Sequence, residues 1–461
     1  MKKVIVIGGG FAGLSAASFL ADSGSKVELI EVSPKLGGRA YSFYDDETGS
    51  VIDNGQHILM GCYKETLKFL KLIGAEKNFS YQERLKVDFL NDNGKHFRLE
   101  ATQPFYPLNH LFGLLNFEAL SFSDRLKILK FFVKLYFYSD EELKKLTVHQ
   151  WFLLEGQNEK IREAFWDFLA VGALNTSTTK ASAKAFADII KEIFSKGNKA
   201  STIILPLKGL TESYCNEAQS FIEKKGGIIN LSEQVTGFEI ENNEVKKIIT
   251  SKRTIADFNY VISSVPWFAI KTFEVSVGQT VGEPRRFLPD VNLNFEHSSI
   301  LTIHIWIKEN KLQEDFYALI GSPLNWIFNH KDHITLVKSD ANDIIDKSKE
   351  ELFEMAVAEL KKYAGIEKEE IKSYKVIKEK RATFVPDNET IDKRPNTNTK
   401  IKNLFLAGDW VNTGLPSTIE SAVKSGRMAA EEIERLRQRH SRCCKESARA
   451  SGQRVGAPEH T

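Results

Sequence analysis

The sequence predicts an α/β protein of two domains, and three observations support this fold class. The chain has 461 residues, whereas one hydrophobic core rarely grows beyond about 250–300 residues. Residues 3–31 show a strand–helix–strand pattern with a glycine-rich turn. A second strand–helix pattern starts at Leu404. We therefore expect both ends of the chain to contribute to one domain and the middle to build another.

Hydrophobic periodicity assigns the elements in order. Residues 3–7 and 27–30 are short apolar runs typical of buried strands. Between them, apolar residues at helical spacing predict a helix that ends at Gly24. Later patterns predict helices at 64–73, after a cap at Ser123-Asp124, within 160–195, and at 349–363 and 419–436, and strands at 228–231, 235–240, 245–250, 260–264, 300–307 and 404–409.

Composition argues against several functional classes. The formal net charge is +2, which argues against nucleic acid as a partner. The four cysteines, Cys62, Cys215, Cys443 and Cys444, form neither a disulfide framework nor a metal-ligand spacing, so we expect no metal site and a cytoplasmic location. No stretch reaches the ~18 apolar residues that a membrane-spanning helix requires.

A dinucleotide-binding motif follows the first strand. Gly8, Gly10 and Gly13 fit the pattern G-x-G-x-x-G, in which the glycines allow a tight turn, close approach of a pyrophosphate, and packing of helix on strand. The helix N-terminus then favours the phosphate charge. Glu31 ends the second strand, at the place where a carboxylate accepts hydrogen bonds from an adenosine ribose.

A second glycine segment follows Glu31 within ten residues. Gly37 and Gly38 allow close backbone approach, and Arg39 offers a fixed fork of donors to a pyrophosphate. This segment resembles the GGR segment of the FAD family that includes amine oxidases and carotenoid desaturases. The resemblance implies a Rossmann-like FAD-binding domain of the GR2 type, with an inserted substrate domain of mixed sheet and helices.

The closing segment of the chain supports the same interpretation. A predicted strand leads to Gly408 and Asp409, and a helix is predicted to start near Pro416 and Ser417. The resemblance implies that Asp409 approaches the ribityl chain of a non-covalent FAD, while the helix start near Ser417 and Thr418 faces the flavin ring. Free N–H groups there stabilise the negative charge of reduced flavin.

Two more stretches narrow the resemblance. Residues 52–63, with the sequence IDNGQHILMGCY, and residues 380–384, with the sequence KRATF, precede the closing segment AGDWVNTGLPSTIE. Together they are similar to the hydroxysqualene dehydroxylases, also called squalene-associated FAD-dependent desaturases. The resemblance implies an enzyme of hopanoid or triterpene biosynthesis that removes the allylic hydroxyl of a C30 isoprenoid with hydride from reduced FAD. Carotenoid (phytoene-type) desaturase or isomerase and flavin amine oxidase remain as alternatives.

The sequence leaves three candidates for the proton donor. His57 titrates near neutral pH and follows the strand that leads from the GGR segment; Tyr63 and Asp53 are the alternatives. Gln56 is expected to touch the flavin ring. The resemblance implies that backbone atoms of the strand containing Val235 contact the adenine.

Residues 105–137 predict peripheral contact with a membrane, on its cytoplasmic face. An apolar segment precedes a helix with Lys127, Lys130 and Lys134 on one side, a combination that suits interfacial binding. A core helix with a solvated lysine face is the alternative interpretation. The electron donor that reduces the flavin is not identified by the sequence.

The segments divide into two domains. Residues 1–85, 200–265 and 370–435 are predicted to form the FAD-binding domain, and residues 86–199 and 266–369 the substrate domain. Residues 436–461 change in composition and lack apolar periodicity, so we expect a disordered tail or a stretch foreign to the protein.

Overall fold

The computed structural model describes residues 2–102, 105–277, 288, 291 and 294–452. Fourteen helices occur in this part of the chain: α1 Phe11–Asp22, α2 Lys64–Leu72, α3 Leu108–Leu115, α4 Phe122–Lys134, α5 Asp140–Leu143, α6 Val148–Leu154, α7 Glu159–Ile161, α8 Asp167–Leu174, α9 Ala183–Phe194, α10 Asn216–Lys224, α11 Trp267–Ile270, α12 Lys349–Ala364, α13 Asn388–Lys393 and α14 Ile419–Gly452. Shorter 3₁₀ turns occupy Glu76–Asn78, Asn198–Ser201, Ala341–Asp343 and Lys368–Glu370, and π-helical turns occupy Arg162–Trp166 and Thr211–Cys215.

The strands of the described residues form five sheets. They are β1 Lys3–Ile7, β2 Lys26–Ile30, β3 Ser42–Asp45, β4 Ser50–Asp53, β5 Leu59–Met60, β6 Phe79–Tyr81, β7 Lys86–Leu90, β8 His96–Glu100, β9 Ile203–Pro206, β10 Ile228–Asn230, β11 Val235–Glu241, β12 Glu244–Thr250, β13 Thr254–Ile255, β14 Tyr260–Ser263, β15 Glu274–Val277, β16 His297–Ile307, β17 Phe316–Leu319, β18 Trp326–Asn329, β19 Ile334–Ser339, β20 Ile371–Phe384 and β21 Leu404–Leu406.

A five-stranded parallel sheet joins the two ends of the chain. Its strand order is β10-β2-β1-β14-β21, so β1 lies at the centre and β21 at one edge. Helices α1, α10 and α14 cover one face, and the antiparallel hairpin β11-β12 packs on the other. The predicted strand–helix–strand unit and the contribution of the C-terminal strand are confirmed. Because all strands run parallel, their carboxyl ends share one edge of the sheet, where binding crevices form.

A seven-stranded mixed sheet forms the second part of the molecule. Its order is β20-β16-β19-β18-β17-β7-β8. One face packs against α12, and the other faces the helical layer that includes α4, α6, α8 and α9. Mixed sheet and helices therefore occur as predicted. Strand β20, which we assigned to the FAD-binding segments, pairs with β16 in this second sheet; the division into two domains remains a proposal.

Three local predictions differ from the structure. Ser121, rather than Ser123 and Asp124, caps α4, because its side chain accepts a hydrogen bond from the Asp124 amide at 3.2 Å. Helix α14 starts at Ile419, after Ser417, and continues past Leu436 to Gly452. Arginine and alanine residues in this extension, together with one glutamine, one lysine and one glutamate, are good helix formers, which explains a helix without an apolar stripe. Residues 453–461 of the predicted tail lie outside the described residues.

Candidate active site and cofactor cleft

One cavity of about 660 Å³ runs from the carboxyl edge of the parallel sheet into the helical layer. All of the predicted cofactor residues except Gly13 line it: Gly8, Gly10, Glu31, Gly37, Gly38, Arg39, Gln56, Val235, Gly408, Asp409, Ser417 and Thr418. Segments that are distant in the sequence thus share one cleft. The motifs identified in the sequence form the polar end of this cavity.

The two glycine segments face each other at this end. Gly8 has a φ of +104°, and a Cβ on Gly13 would lie 1.9 Å from the Gly8 carbonyl oxygen. Gly13 is therefore packed between helix and strand and lies outside the cavity. A Cβ on Gly10 would meet the Gly38 Cα at 3.7 Å, so bare backbone from both segments borders the cleft. This cradle fits a pyrophosphate.

Glu31 lines the cleft beside the first glycine segment. Its carboxylate accepts hydrogen bonds from the Gly9 amide at 2.5 Å and the Ser33 amide at 2.8 Å. Burial raises the pKa of Glu31, and these backbone amides oppose that shift. A carboxylate has about four lone-pair sites, so this group retains acceptor capacity toward a ribose. Val235 borders the same region.

Arg39, Asp409 and Ser417 form a chain of contacts that the sequence did not predict. The Arg39 guanidinium pairs with Asp409 and donates to the Ala382 carbonyl at 2.6 Å. The Ser417 hydroxyl donates to the other Asp409 carboxylate oxygen. The structure brings the GGR segment and the closing segment together through this ion pair. The expected contacts of Arg39 and Asp409 with different parts of the cofactor stay a prediction.

The start of α14 carries two further contacts. The Thr418 hydroxyl accepts a hydrogen bond from the Ser421 amide at 3.1 Å and so caps the helix. The Glu420 carboxylate accepts from the backbone amides of Glu65 at 2.9 Å and Thr66 at 2.8 Å. Glu420 thereby caps α2 from a helix more than 350 positions away in the sequence. The stretch TGLPSTIE contained this residue, but no local pattern reveals its partner.

Two of the three candidate proton donors line the cavity. His57 donates from Nδ1 to the Gly55 carbonyl at 2.8 Å, and burial lowers the pKa of this imidazole. Burial raises the pKa of Tyr63 well above its ordinary value, so the phenol keeps its proton. Asp53 is not among the cavity-lining residues. Its carboxylate accepts from the Ser42 hydroxyl at 2.6 Å and the Leu210 amide at 2.9 Å.

The other end of the cavity is apolar. Aromatic and aliphatic side chains surround it. They come from α8, α9, the seven-stranded sheet, the π-helical turn Arg162–Trp166, strand β9 and the residue before β7: Leu85, Val87, Leu99, Phe165, Phe168, Leu169, Ala173, Ile193, Phe194, Ile203, Ile300, Trp326, Phe328 and Val337. Apolar walls of this kind bind apolar ligands through the hydrophobic effect. The sequence showed abundant phenylalanine but did not identify which residues surround a pocket.

Comparison with known proteins places the chain among flavoproteins. A hydroxysqualene dehydroxylase from Zymomonas mobilis is 28% identical over 442 residues, which cover 94% of this chain and 99% of the relative. A 15-cis-phytoene desaturase from an Oncidium hybrid is 24% identical over 473 residues, covering 94% of this chain and 77% of the relative. The predicted resemblance to hydroxysqualene dehydroxylases is confirmed.

Solved structures agree on the fold. An oxidoreductase from Methanosarcina mazei superimposes with a TM-score of 0.70 at 18% identity, covering 93% of this chain and 100% of the other. FAD is the cofactor that the glycine cradle and the Glu31 carboxylate accommodate. Residues 11–434 match the family described as flavin containing amine oxidoreductase, so this chain belongs to that family and is an FAD-dependent oxidoreductase.

Proposed function

We propose that the enzyme removes the hydroxyl group of hydroxysqualene reductively and yields squalene, as a step toward hopanoids or related triterpenes. One observation carries the proposal: a single cavity connects the cofactor cleft to an apolar pocket. Three relatives of 25–28% identity are named hydroxysqualene dehydroxylase. A long isoprenoid chain suits such walls.

The reaction needs two electrons, a hydride and a proton. Bound reduced FAD supplies the hydride. The allylic C–O bond breaks, the carbon receives the hydride, and the hydroxyl leaves as water after taking up a proton. The protein must therefore orient the alcohol carbon, exclude water and protonate the leaving oxygen.

Tyr63 is the better candidate for the proton donor. An acid must carry its proton at neutral pH and reach the substrate. Tyr63 lies in the cavity wall and its phenol carries a proton at neutral pH, although burial raises its pKa and so makes it a weaker acid. The lowered pKa of His57 favours the neutral imidazole, whose Nδ1–H is directed to Gly55. The carboxylate of Asp53 is engaged outside the cavity.

Aromatic side chains suit the charge that develops as the hydroxyl leaves. Phe165, Phe168 and Trp326 line the pocket, and the rings of Phe168 and Trp326 meet edge to face with centroids 5.8 Å apart. Aromatic faces attract a cation without forming a bond to it. A delocalised allylic cation is therefore stabilised until the hydride arrives.

Exposed apolar residues favour delivery of the substrate from a membrane. Phe105, Phe122 and Phe137 on or beside α3 and α4 are 72%, 63% and 81% exposed. Behind them, the Phe132 ring packs against the Phe194 ring with centroids 5.3 Å apart, and Phe194 lines the cavity. We propose that this surface inserts into the headgroup region on the cytoplasmic face of a membrane.

This surface has less unpaired positive charge than the lysines in its sequence indicated. Lys127 and Lys134 form ion pairs with Asp124 at 2.9 Å and Glu155 at 2.7 Å. Their attraction to anionic lipid is therefore reduced, and apolar insertion must supply most of the binding. Among the described residues, no helix is long and apolar enough to cross a bilayer.

Anaerobic turnover tests the proposed reaction. Purified holoprotein is photoreduced without oxygen and mixed with hydroxysqualene. In parallel, oxidised holoprotein is mixed with phytoene without oxygen, or with an amine in air, while flavin absorbance and products are followed. Reoxidation of the flavin with release of squalene supports the proposal. Oxidation of phytoene by the oxidised enzyme would favour a desaturase, and hydrogen peroxide release from amines an amine oxidase; either result without squalene formation refutes it.

A further inference from the structure

One polar pair lies at the junction between the cofactor cleft and the apolar pocket. Thr383 lies near the end of β20 and borders the cavity, and its hydroxyl oxygen accepts a hydrogen bond from the Asn175 side-chain amide at 2.9 Å. The neighbouring residue Ala382 accepts from Arg39, which contacts the closing segment. Asn175 follows α8, whose residues Leu169 and Ala173 line the apolar part.

The orientation of the Asn175 amide is well determined. This residue ends α8 in the left-handed conformation, with a φ of 46°. Its side-chain oxygen accepts a hydrogen bond from the Asp340 backbone amide at 2.8 Å, which only an oxygen can do. The side-chain nitrogen must therefore face Thr383. Both ends of the amide are engaged, so this group cannot rotate without losing a hydrogen bond.

The Thr383 hydroxyl consequently has a free donor. Its oxygen already accepts from Asn175, so its hydrogen points in another direction. Among the described residues, no protein acceptor receives this hydrogen. The residue is 9% exposed and borders the cavity. A buried donor without a partner costs about 1–3 kcal/mol of free energy. A ligand that places an oxygen acceptor here therefore binds more tightly than one that does not.

We infer that the Thr383 hydroxyl donates a hydrogen bond to the oxygen of the substrate's hydroxyl group. The inference deepens the proposed function and depends on it. A hydrocarbon of the same length leaves this donor unpaired, whereas an allylic alcohol satisfies it. The same bond helps the C–O bond to break, because it stabilises negative charge that develops on the leaving oxygen. Asn175 acts as the positioning residue.

Three variants separate these roles. Thr383→Val keeps the shape and removes the donor, whereas Thr383→Ser keeps the hydroxyl. Asn175→Asp retains an acceptor for the Asp340 amide but replaces the amide donor with a second acceptor, which turns the Thr383 hydroxyl away from the cavity. We measure the dissociation constants of hydroxysqualene and squalene from the absorbance change of oxidised flavin, together with single-turnover rates after photoreduction.

Thr383→Val and Asn175→Asp are expected to weaken hydroxysqualene binding at least about tenfold and to leave squalene binding within about twofold. Thr383→Ser should restore alcohol binding. Equal weakening of both ligands, no weakening, or a shifted flavin spectrum in ligand-free Thr383→Val would overturn the inference, the last because the donor would then serve the cofactor. Binding requires no turnover, so a wild-type enzyme that forms no squalene refutes the proposed function separately.

Discussion

Two glycine-to-alanine substitutions distinguish a glycine that is needed for stability from one that is needed for cofactor binding. In Gly13→Ala, the new Cβ would lie 1.9 Å from the Gly8 carbonyl oxygen, more than 1 Å inside the 3.0 Å that Cβ atoms respect. Backbone faces backbone here, so helix α1 must move away from β1. Because a Cβ would meet rigid backbone, the upper end of the overpacking range applies, about 3 kcal/mol, against a gain of about 1 kcal/mol in helix propensity. We expect a net loss of about 2 kcal/mol in stability.

Gly10→Ala should behave in the opposite way. Its Cβ would have no neighbour closer than 3.7 Å, and its φ of −82° suits alanine. Stability should change by less than about 0.5 kcal/mol. The methyl group nevertheless occupies the cradle that the pyrophosphate must approach, so FAD affinity should fall at least about tenfold.

Thermal unfolding of both apoproteins and their titration with FAD test the pair. Gly13→Ala should unfold several degrees below the wild type, whereas apo Gly10→Ala should unfold with it and bind FAD weakly. If Gly10→Ala bound FAD as tightly as the wild type, the assignment of the cleft would be wrong. If Gly13→Ala were as stable as the wild type, the packing argument for this glycine would be refuted.

Three further predictions concern the proton donor, acid stability and the membrane. Tyr63→Phe should lower the single-turnover rate at least about tenfold and His57→Asn much less; the reverse order in stopped-flow traces would contradict the assignment. Burial lowers the pKa of His304 to about 3 and of His330 to about 4. The unfolded chain therefore binds protons first as pH falls below about 6.5, and up to about 3 kcal/mol per imidazole is lost between pH 6.5 and 4. Urea midpoints that stay constant over this range would disprove the effect. Phe137→Ser should reduce flotation of the protein with phosphatidylcholine vesicles severalfold, with Tyr44→Ser, an exposed aromatic residue of β3, as control; equal flotation of the two variants would exclude this surface.

The sequence pattern predicted the strands that pair with a strand close by in the sequence. The hairpin of β11 and β12 turns at Asn242 and Asn243, both with positive φ, and its sequence shows the turn directly. Strands β7, β8 and β20 were not assigned. Their charged and apolar residues alternate weakly. Strand β20 pairs with β16, and helix α12 lies between these two strands in the sequence. Tertiary pairing, rather than propensity, decides such strands.

Prediction of the site from local sequence has the same limit. Glycine spacing requires no partner, so the cradle could be found from the sequence. The ion pair between Arg39 and Asp409 joins residues 370 positions apart, and each residue alone is compatible with several roles. Glu420 likewise acts on α2 through contacts that exist only after folding. Side chains whose function is to hold segments together therefore escape sequence reasoning even when their motif is noticed.

The fold alone does not separate the proposed reaction from its rivals. Relatives named for an alcohol substrate and relatives named for a hydrocarbon substrate both align over 94% of this chain. An apolar pocket accepts either molecule, since both are mainly hydrocarbon. The difference between them is one oxygen, so discrimination must come from few polar groups near the flavin. Thr383, held by Asn175, offers a hydroxyl hydrogen with no acceptor among the described residues at that place. A desaturase would have to bury this donor against hydrocarbon, which opposes binding of its own substrate.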